Sequence, residues 1–156
     1  YNEFSLENDK VYLYIAIGTG GRILSRVEAN MINELMLLGR NYAKKLSANI
    51  RFHILGWSSP KIAKKLKISL VYSSDSLSVR RRAVEGKIYI IDNNEIRLVN
   101  VSEIRSSQWN CPCPVCQDPI LQLFVLDPSS KRKNDARIVH NLWVIRQYIR
   151  KLLRGT

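Results

Sequence analysis

Outside one hexapeptide the chain has no cysteine: Cys111, Cys113 and Cys116 all fall within CPCPVC. An odd, clustered set is a poor disulfide framework, so a reducing interior is expected, with the cytoplasm as the compartment. No run of about 18 apolar residues occurs, which excludes a spanning helix. No signal peptide opens the chain, no membrane partner is expected, and no internal repeat or low-complexity tract is visible. Acidic residues are scarce as well, with 13 Asp and Glu against 25 Lys and Arg and a net charge of +12. Such a balance suits a polyanionic partner, nucleic acid ahead of an acidic surface, although a solvated basic exterior has the same composition. The first residue is Tyr1 and not methionine, so a processed, trimmed or partial product is expected.

What is present is a core-forming sequence, 46% hydrophobic over 156 residues. Residues 11–21 (VYLYIAIGTGG) form a continuous apolar run ending in glycines, a strand followed by a turn. The next segment places Val27, Met31, Leu35, Leu38, Tyr42 and Leu46 at helical spacing, predicting a long helix with that stripe as its apolar face. NIRFHILG (49–56) reads as a second buried strand. Ser59 and Pro60 begin a short helix as cap and first turn. ISLVYS (68–73) is a third strand, and a short basic helix follows it. This alternation predicts βαβ units and a parallel sheet. Three such strands are too few to close a barrel and leave edges exposed. KIYIID-NN-EIRLVNV (87–101) predicts a hairpin turning at Asn93 and Asn94. A basic loop and a last helix from about Ala136 end the chain, with Ile138, Leu142, Ile145, Ile149 and Leu152 as the helix's apolar stripe.

The thiol cluster asks for a fourth ligand. Zn²⁺ takes four donors at tetrahedral corners, and C-x-C-x2-C supplies three, with prolines stiffening the turn. His140, 24 positions after Cys116, completes a Cys3His set and ties the irregular segment to the last helix. Four protein ligands leave no open position, so the expected Zn²⁺ is structural. His53 sits mid-strand and reads as a packed residue, not a ligand.

This spacing, with CPCPVC and HNLWVI, resembles the zinc motif of tRNA-guanine transglycosylases, the archaeal members in particular. YIAIGTGG resembles the family's strand and glycine turn lining the base pocket, and FHILGWSSP its next strand and loop. SSDSLSVRRRAVEGKIYI resembles the nucleophile segment, with Asp75, Ala83, Gly86 and Lys87 at matching positions. Four segments in the family's order cover nearly the whole chain. Two departures stand out. The Asp-Ser-Gly-Gly-Phe-Gln type motif carrying the general acid/base is absent, and Val84 stands where bacterial members have a second arginine.

The resemblance implies the C-terminal part of a (β/α)8 TIM barrel over residues 1–86, and a hairpin, Cys3His zinc subdomain and last helix over 87–156. It implies exchange of guanine in tRNA for a 7-deazaguanine base, as in queuosine or archaeosine formation. Asp75 would be the nucleophile of a covalent Asp–ribose intermediate; read alone, Asp75 also suits a helix cap. Gly18, Thr19, Gly20, Gly21 and Gly56 would approach the base, since glycine lets backbone come close to a flat ring. Trp57 stacks or packs beside them. Arg80, Arg81 and Arg82, with Lys131, Arg132 and Lys133 in the loop, would contact RNA phosphates or form a solvated face. An upstream-half polypeptide would complete the barrel and bring the missing acid. A non-catalytic zinc-stabilised RNA-binding scaffold and a relative acting on DNA are the alternatives.

Overall fold

The computed structural model describes residues 3–7, 10–18, 25–56, 60–75, 78–105, 109–127 and 134–154. The chain forms two compact units, Tyr1–Leu77 and Ser78–Thr156. The basic helix expected at the end of the first segment therefore belongs to the second unit. No helix among the described residues is long and apolar enough to cross a membrane.

In the first unit, β1 (Glu3–Glu7) and β2 (Lys10–Gly18) pair antiparallel, a strand the sequence reading did not anticipate. Helix α1 (Arg26–Lys45) leads to β3 (Asn49–Leu55), which lies parallel to β2. β4 (Val71–Ser74) lies parallel to β3, giving an open sheet in the order β1-β2-β3-β4. The parallel three-strand arrangement matches the expected βαβ units, and the described residues close no barrel. A capping box starts α1: Glu28 N–H donates to Ser25 Oγ at 3.1 Å and Ser25 N–H to Glu28 Oε2 at 2.9 Å. Gly39 lets α1 approach β3 closely, because a Cβ there would lie 3.0 Å from Phe52 and 3.2 Å from Ile50.

The buried face of α1 is not the predicted one. Ala29, Ile32, Asn33, Met36 and Ala43 are buried. Val27, Met31, Leu35, Leu38 and Tyr42 are 58–68% exposed. The close approach at Gly39 turns the side carrying Ala29, Ile32, Met36 and Ala43 toward β3, so this narrower face and not the longer apolar stripe is buried. Buried Asn33 is satisfied by Lys65 O at 2.9 Å and Lys67 N–H at 2.7 Å. Those bonds fasten the residues just after Pro60–Lys64, a 3-10 turn where a helix was expected. Likewise the expected strand at Ile68 begins as a 3-10 turn, Ile68–Leu70, before β4. On the sheet's other face the Arg51 guanidinium stacks 3.9 Å from the Tyr12 ring and 4.5 Å from Tyr72.

The second unit begins with α2 (Ser78–Val84), which Gly86 at φ 69° releases into β5 (Lys87–Asp92). The hairpin to β6 (Glu95–Asn100) turns at Asn93 and Asn94, both at positive φ as the sequence predicts. Two short helices, α3 (Pro114–Gln117) and α4 (Pro119–Leu126), occupy the segment after the first cysteines. Asp118 caps α4 through Ile120 N–H and Leu121 N–H. The last helix is α5 (Asn134–Arg154).

Its buried side again departs from the apolar stripe. Arg137, His140, Asn141, Val144 and Tyr148 are buried, whereas Leu142 is 53% exposed. Polar groups occupy this side because each meets a specific partner. Asn141 Oδ1 accepts from Tyr89 N–H at 2.8 Å, and its amide donates to Lys87 O at 3.3 Å, fastening α5 to β5. Arg137, 1% exposed, donates to Ala83 O at 2.9 Å, to Val125 O at 3.1 Å and to Asp127 O. These are carbonyls at the ends of α2 and α4, where helix geometry leaves acceptors without intrahelical donors. One guanidinium thus clasps two helix ends. An Arg137→Met chain is expected to lose about 3 kcal/mol of unfolding free energy, read as a lower urea midpoint. An unchanged midpoint would show that water replaces the clasp at no cost.

Candidate functional site

Two sets of expected site residues can be followed, one in each unit. In the first unit the parallel register brings strand C-termini together. Gly18 ends β2 opposite Leu55, the last residue of β3, and Gly56 follows at φ 70°. Ser74 ends β4, and Asp75 follows it. Asp75 N–H donates to Ile54 O at 3.2 Å, and Asp75 Oδ1 accepts from Gly56 N–H at 2.7 Å. Two residues expected separately, the carboxylate and a pocket glycine, are therefore bonded partners on adjacent strand ends. Both belong to a solvent-facing rim, and a Cβ at Gly18 would meet nothing within 4 Å. Carboxyl ends of parallel strands are where α/β sheets place their chemistry.

Thr19, Gly20, Gly21, Trp57, Ser59, Lys131, Arg132 and Lys133 lie outside the described residues. His53 is half-buried on the sheet face opposite Phe52 and Ile54, its Nδ1 2.7 Å from Ser73 Oγ. It takes no part in the Cys3His cluster.

The second unit contains Arg80, Arg81 and Arg82 on α2. Arg80 is exposed. Arg81 and Arg82 pair with Glu85 at 3.0 and 2.8 Å, and Lys87 joins the same carboxylate at 3.1 Å. Arg82, Lys87 and Arg81 hold the Glu85 carboxyl down at about 2. Part of the positive charge on this helix is thus compensated within the chain.

The cysteines converge as their spacing predicts. Cys111, Cys113, Cys116 and His140 are all buried, with ligand atoms within 4.8 Å of one another. His140 Nδ1 stands 3.7, 3.3 and 3.4 Å from the three sulfurs in chain order. Bond lengths of about 2.3 Å to sulfur and 2.0–2.1 Å to nitrogen put tetrahedral corners roughly 3.6 Å apart. The observed separations bracket that value, so the donor set has the dimensions of a four-coordinate metal site.

Local structure builds it. Cys113 caps α3, its sulfur 3.3 Å from Cys116 N–H, while Pro114 sits in the first turn. The Gln117 side chain donates to Cys111 O at 2.8 Å, pinning the first ligand. His140 Nε2–H donates to Tyr89 O at 2.9 Å, which leaves Nδ1 as the ligating nitrogen. The Trp109 indole N–H reaches Cys116 Sγ at 3.5 Å, and its ring lies 5.7 Å from the His140 ring. Tyr89, Trp109 and Gln117 were not anticipated. Backbone acceptors and neighbouring donors carry no spacing signature, so the fold alone discloses them.

The four buried donors shift one another's proton affinities. Hydrogen bonds from Cys111 and then Cys116 hold Cys113 low, while Cys111 and Cys113 push Cys116 up. Burial opposes an imidazolium at His140, yet bonds to Cys111 and Cys113 outweigh it and lift the ring to about 9. A divalent cation would take all four donors together. Acid competes with the metal for these atoms.

No protein-family model matches the chain, and no curated protein matches it.

Proposed function

We propose that this chain is the C-terminal portion of a tRNA-guanine transglycosylase, with Asp75 as nucleophile and a structural zinc in the second unit. The observation that carries the reading is the bond between Asp75 and Gly56 at the carboxyl ends of neighbouring parallel strands. The sequence resemblance assigns these same two residues to nucleophile and base pocket. The wider fold is a (β/α)8 barrel whose upstream half comes from further polypeptide. The 58–68% exposed stripe on α1 supports this, since such a face ordinarily meets another element.

Gly56 N–H orients one carboxylate oxygen and leaves the second for attack. That oxygen forms a bond to ribose C1′ as the glycosidic bond to guanine breaks, the departing base taking a proton from an acid on the upstream half. A 7-deazaguanine base then loses its proton to the same group and displaces the carboxylate. Gly18 leaves room beside the rim for the flat ring. Arg80, exposed on α2 and in no ion pair among the described residues, is the phosphate contact on that helix, so RNA affinity falls with salt.

Zinc is the metal because three thiolates and an imidazole form a soft tetrahedral set. Cys111, Cys113, Cys116 and His140 hold it, and with four protein donors it supplies rigidity, not a reacting water.

The test is reconstitution. Combined with an upstream barrel half, the chain is expected to incorporate labelled guanine into tRNA and to do nothing alone. Metal and RNA binding without exchange, in every combination, would establish the scaffold reading instead. Exchange into DNA would reassign the substrate.

A further inference from the structure

A second site lies in the zinc-bearing unit, apart from the strand-end chemistry. A cavity of about 490 Å³ opens among the end of β5, the segment Trp109–Pro112 and the side of α5 that carries His140, Trp143, Val144 and Gln147. Its walls are chiefly apolar and include two indoles, Trp109 and Trp143, both half-buried. Asp92, Asn110 and Gln147 also line it. A cavity of this size with flat apolar walls and a few polar side chains has the form of a small-molecule or single-residue site.

We propose that this cavity receives an unstacked purine ring. Indole faces stack on any base and bury its apolar surface. A base also has an edge of alternating donors and acceptors, which a purely apolar guest lacks. Asn110 and Gln147 each carry both a donor and an acceptor group, and a carboxylate accepts from N–H groups such as those of guanine. Asp92 gives one oxygen to Arg97 at 2.6 Å and keeps acceptor capacity on the other. The charge distribution orients the guest. Three thiolates, a neutral imidazole and a divalent metal would sum to −1 beside Cys111 and His140, while the Asp92 charge is balanced by its pair with Arg97. The neutral ring therefore enters, and its phosphates stay at the mouth. Beyond the cavity the unit is basic: Ser78 to Thr156 contains 14 Lys and Arg against 7 Asp and Glu, or +7. That excess draws a polyanionic strand toward the opening.

The site does not depend on the chemistry proposed for Asp75, and the two readings fail separately. The experiment uses the full chain with its metal. Binding is followed by fluorescence anisotropy with a short labelled single-stranded RNA carrying one central guanine, and with its twin abasic at that position. The abasic RNA is expected to bind at least about tenfold more weakly, in keeping with the loss of one stacked base. Trp143→Ala and Gln147→Leu should each shrink that difference with metal content unchanged. If Trp143→Ala loses metal through misfolding, Gln147→Leu carries the test alone. Competition by free guanosine would place the preferred guest in solution, and competition by RNA alone would place it in a strand; both support the proposal. Equal affinity for the two RNAs overturns it. So does a difference that survives in Gln147→Leu, or displacement by a tryptophan-rich peptide and by neither nucleic-acid ligand. These affinities are read without an upstream barrel half, so failed base exchange leaves this binding intact.

Discussion

A Cys113→Ser chain is expected to purify without metal and to lose the folded structure of residues 111–154, leaving a chain with less helix. Cys113 is fully buried and contributes both a ligand and the cap of α3. It also belongs to an apolar cluster with Ile88, Val101, Val115 and Val125, so the metal site and the core of this unit are one object. Structural zinc contributes on the order of 10–16 kcal/mol in small modules, comparable to the whole of the roughly 5–15 kcal/mol that separates folded from unfolded domains. Serine retains the hydroxyl acceptor for the α3 cap, so the loss isolates metal ligation. Metal analysis and circular dichroism read the outcome together. One equivalent of metal retained, or an unchanged thermal transition without it, would show that the cluster is a packed thiol core and not a metal site.

Asp75→Ala has the largest expected effect on activity. On the proposed mechanism this carboxylate forms the bond to ribose, so its removal should lower exchange in the reconstituted assembly by roughly 10⁴-fold or more. RNA affinity should change little, because phosphate contacts and not this side chain supply it. Asp75→Asn is the sharper variant: it keeps an oxygen for Gly56 N–H while removing the nucleophile, so both variants should be equally inactive. Denaturing gels of trapped reactions provide the second readout. A covalent RNA adduct on the alanine chain would place the nucleophile elsewhere, and full activity in the asparagine chain would reduce Asp75 to a strand-end brace for Gly56.

The three parallel strands and the hairpin were legible because their signals are local: unbroken apolar runs, and an Asn-Asn turn whose positive φ values few other residues tolerate. The metal cluster was legible for a related reason. Thiols concentrated in six residues have few other uses, and only one of the two histidines lies near a helix start. Helix faces were misread where packing reversed the hydrophobicity rule. On α1, contact at Gly39 turns the side carrying Ala29, Ile32, Met36 and Ala43 toward β3 and leaves Leu35 and Leu38 outside. On α5, Arg137, His140 and Asn141 are buried because each reaches a carbonyl, a sulfur or an amide from a distant segment. No periodicity encodes those partners. β1 escaped notice because EFSLE carries charges at both ends and owes its conformation to pairing with β2. The Asp75–Gly56 bond joins residues 19 positions apart, and only the parallel register makes them neighbours.

The order of the four ligands along the chain sets a timetable. Cys111, Cys113 and Cys116 leave the ribosome together, and His140 follows 24 residues later. At about 5–20 residues per second, a nascent chain spends roughly one to five seconds with three thiolates and an open fourth position. During that interval a captured metal is exchangeable and exposed to cellular thiols. Arrival of α5 closes the coordination shell and, through Arg137, gathers the ends of α2 and α4 in the same step. Helix α5 is therefore the latch of the whole unit, and truncation within it strands the metal half-bound.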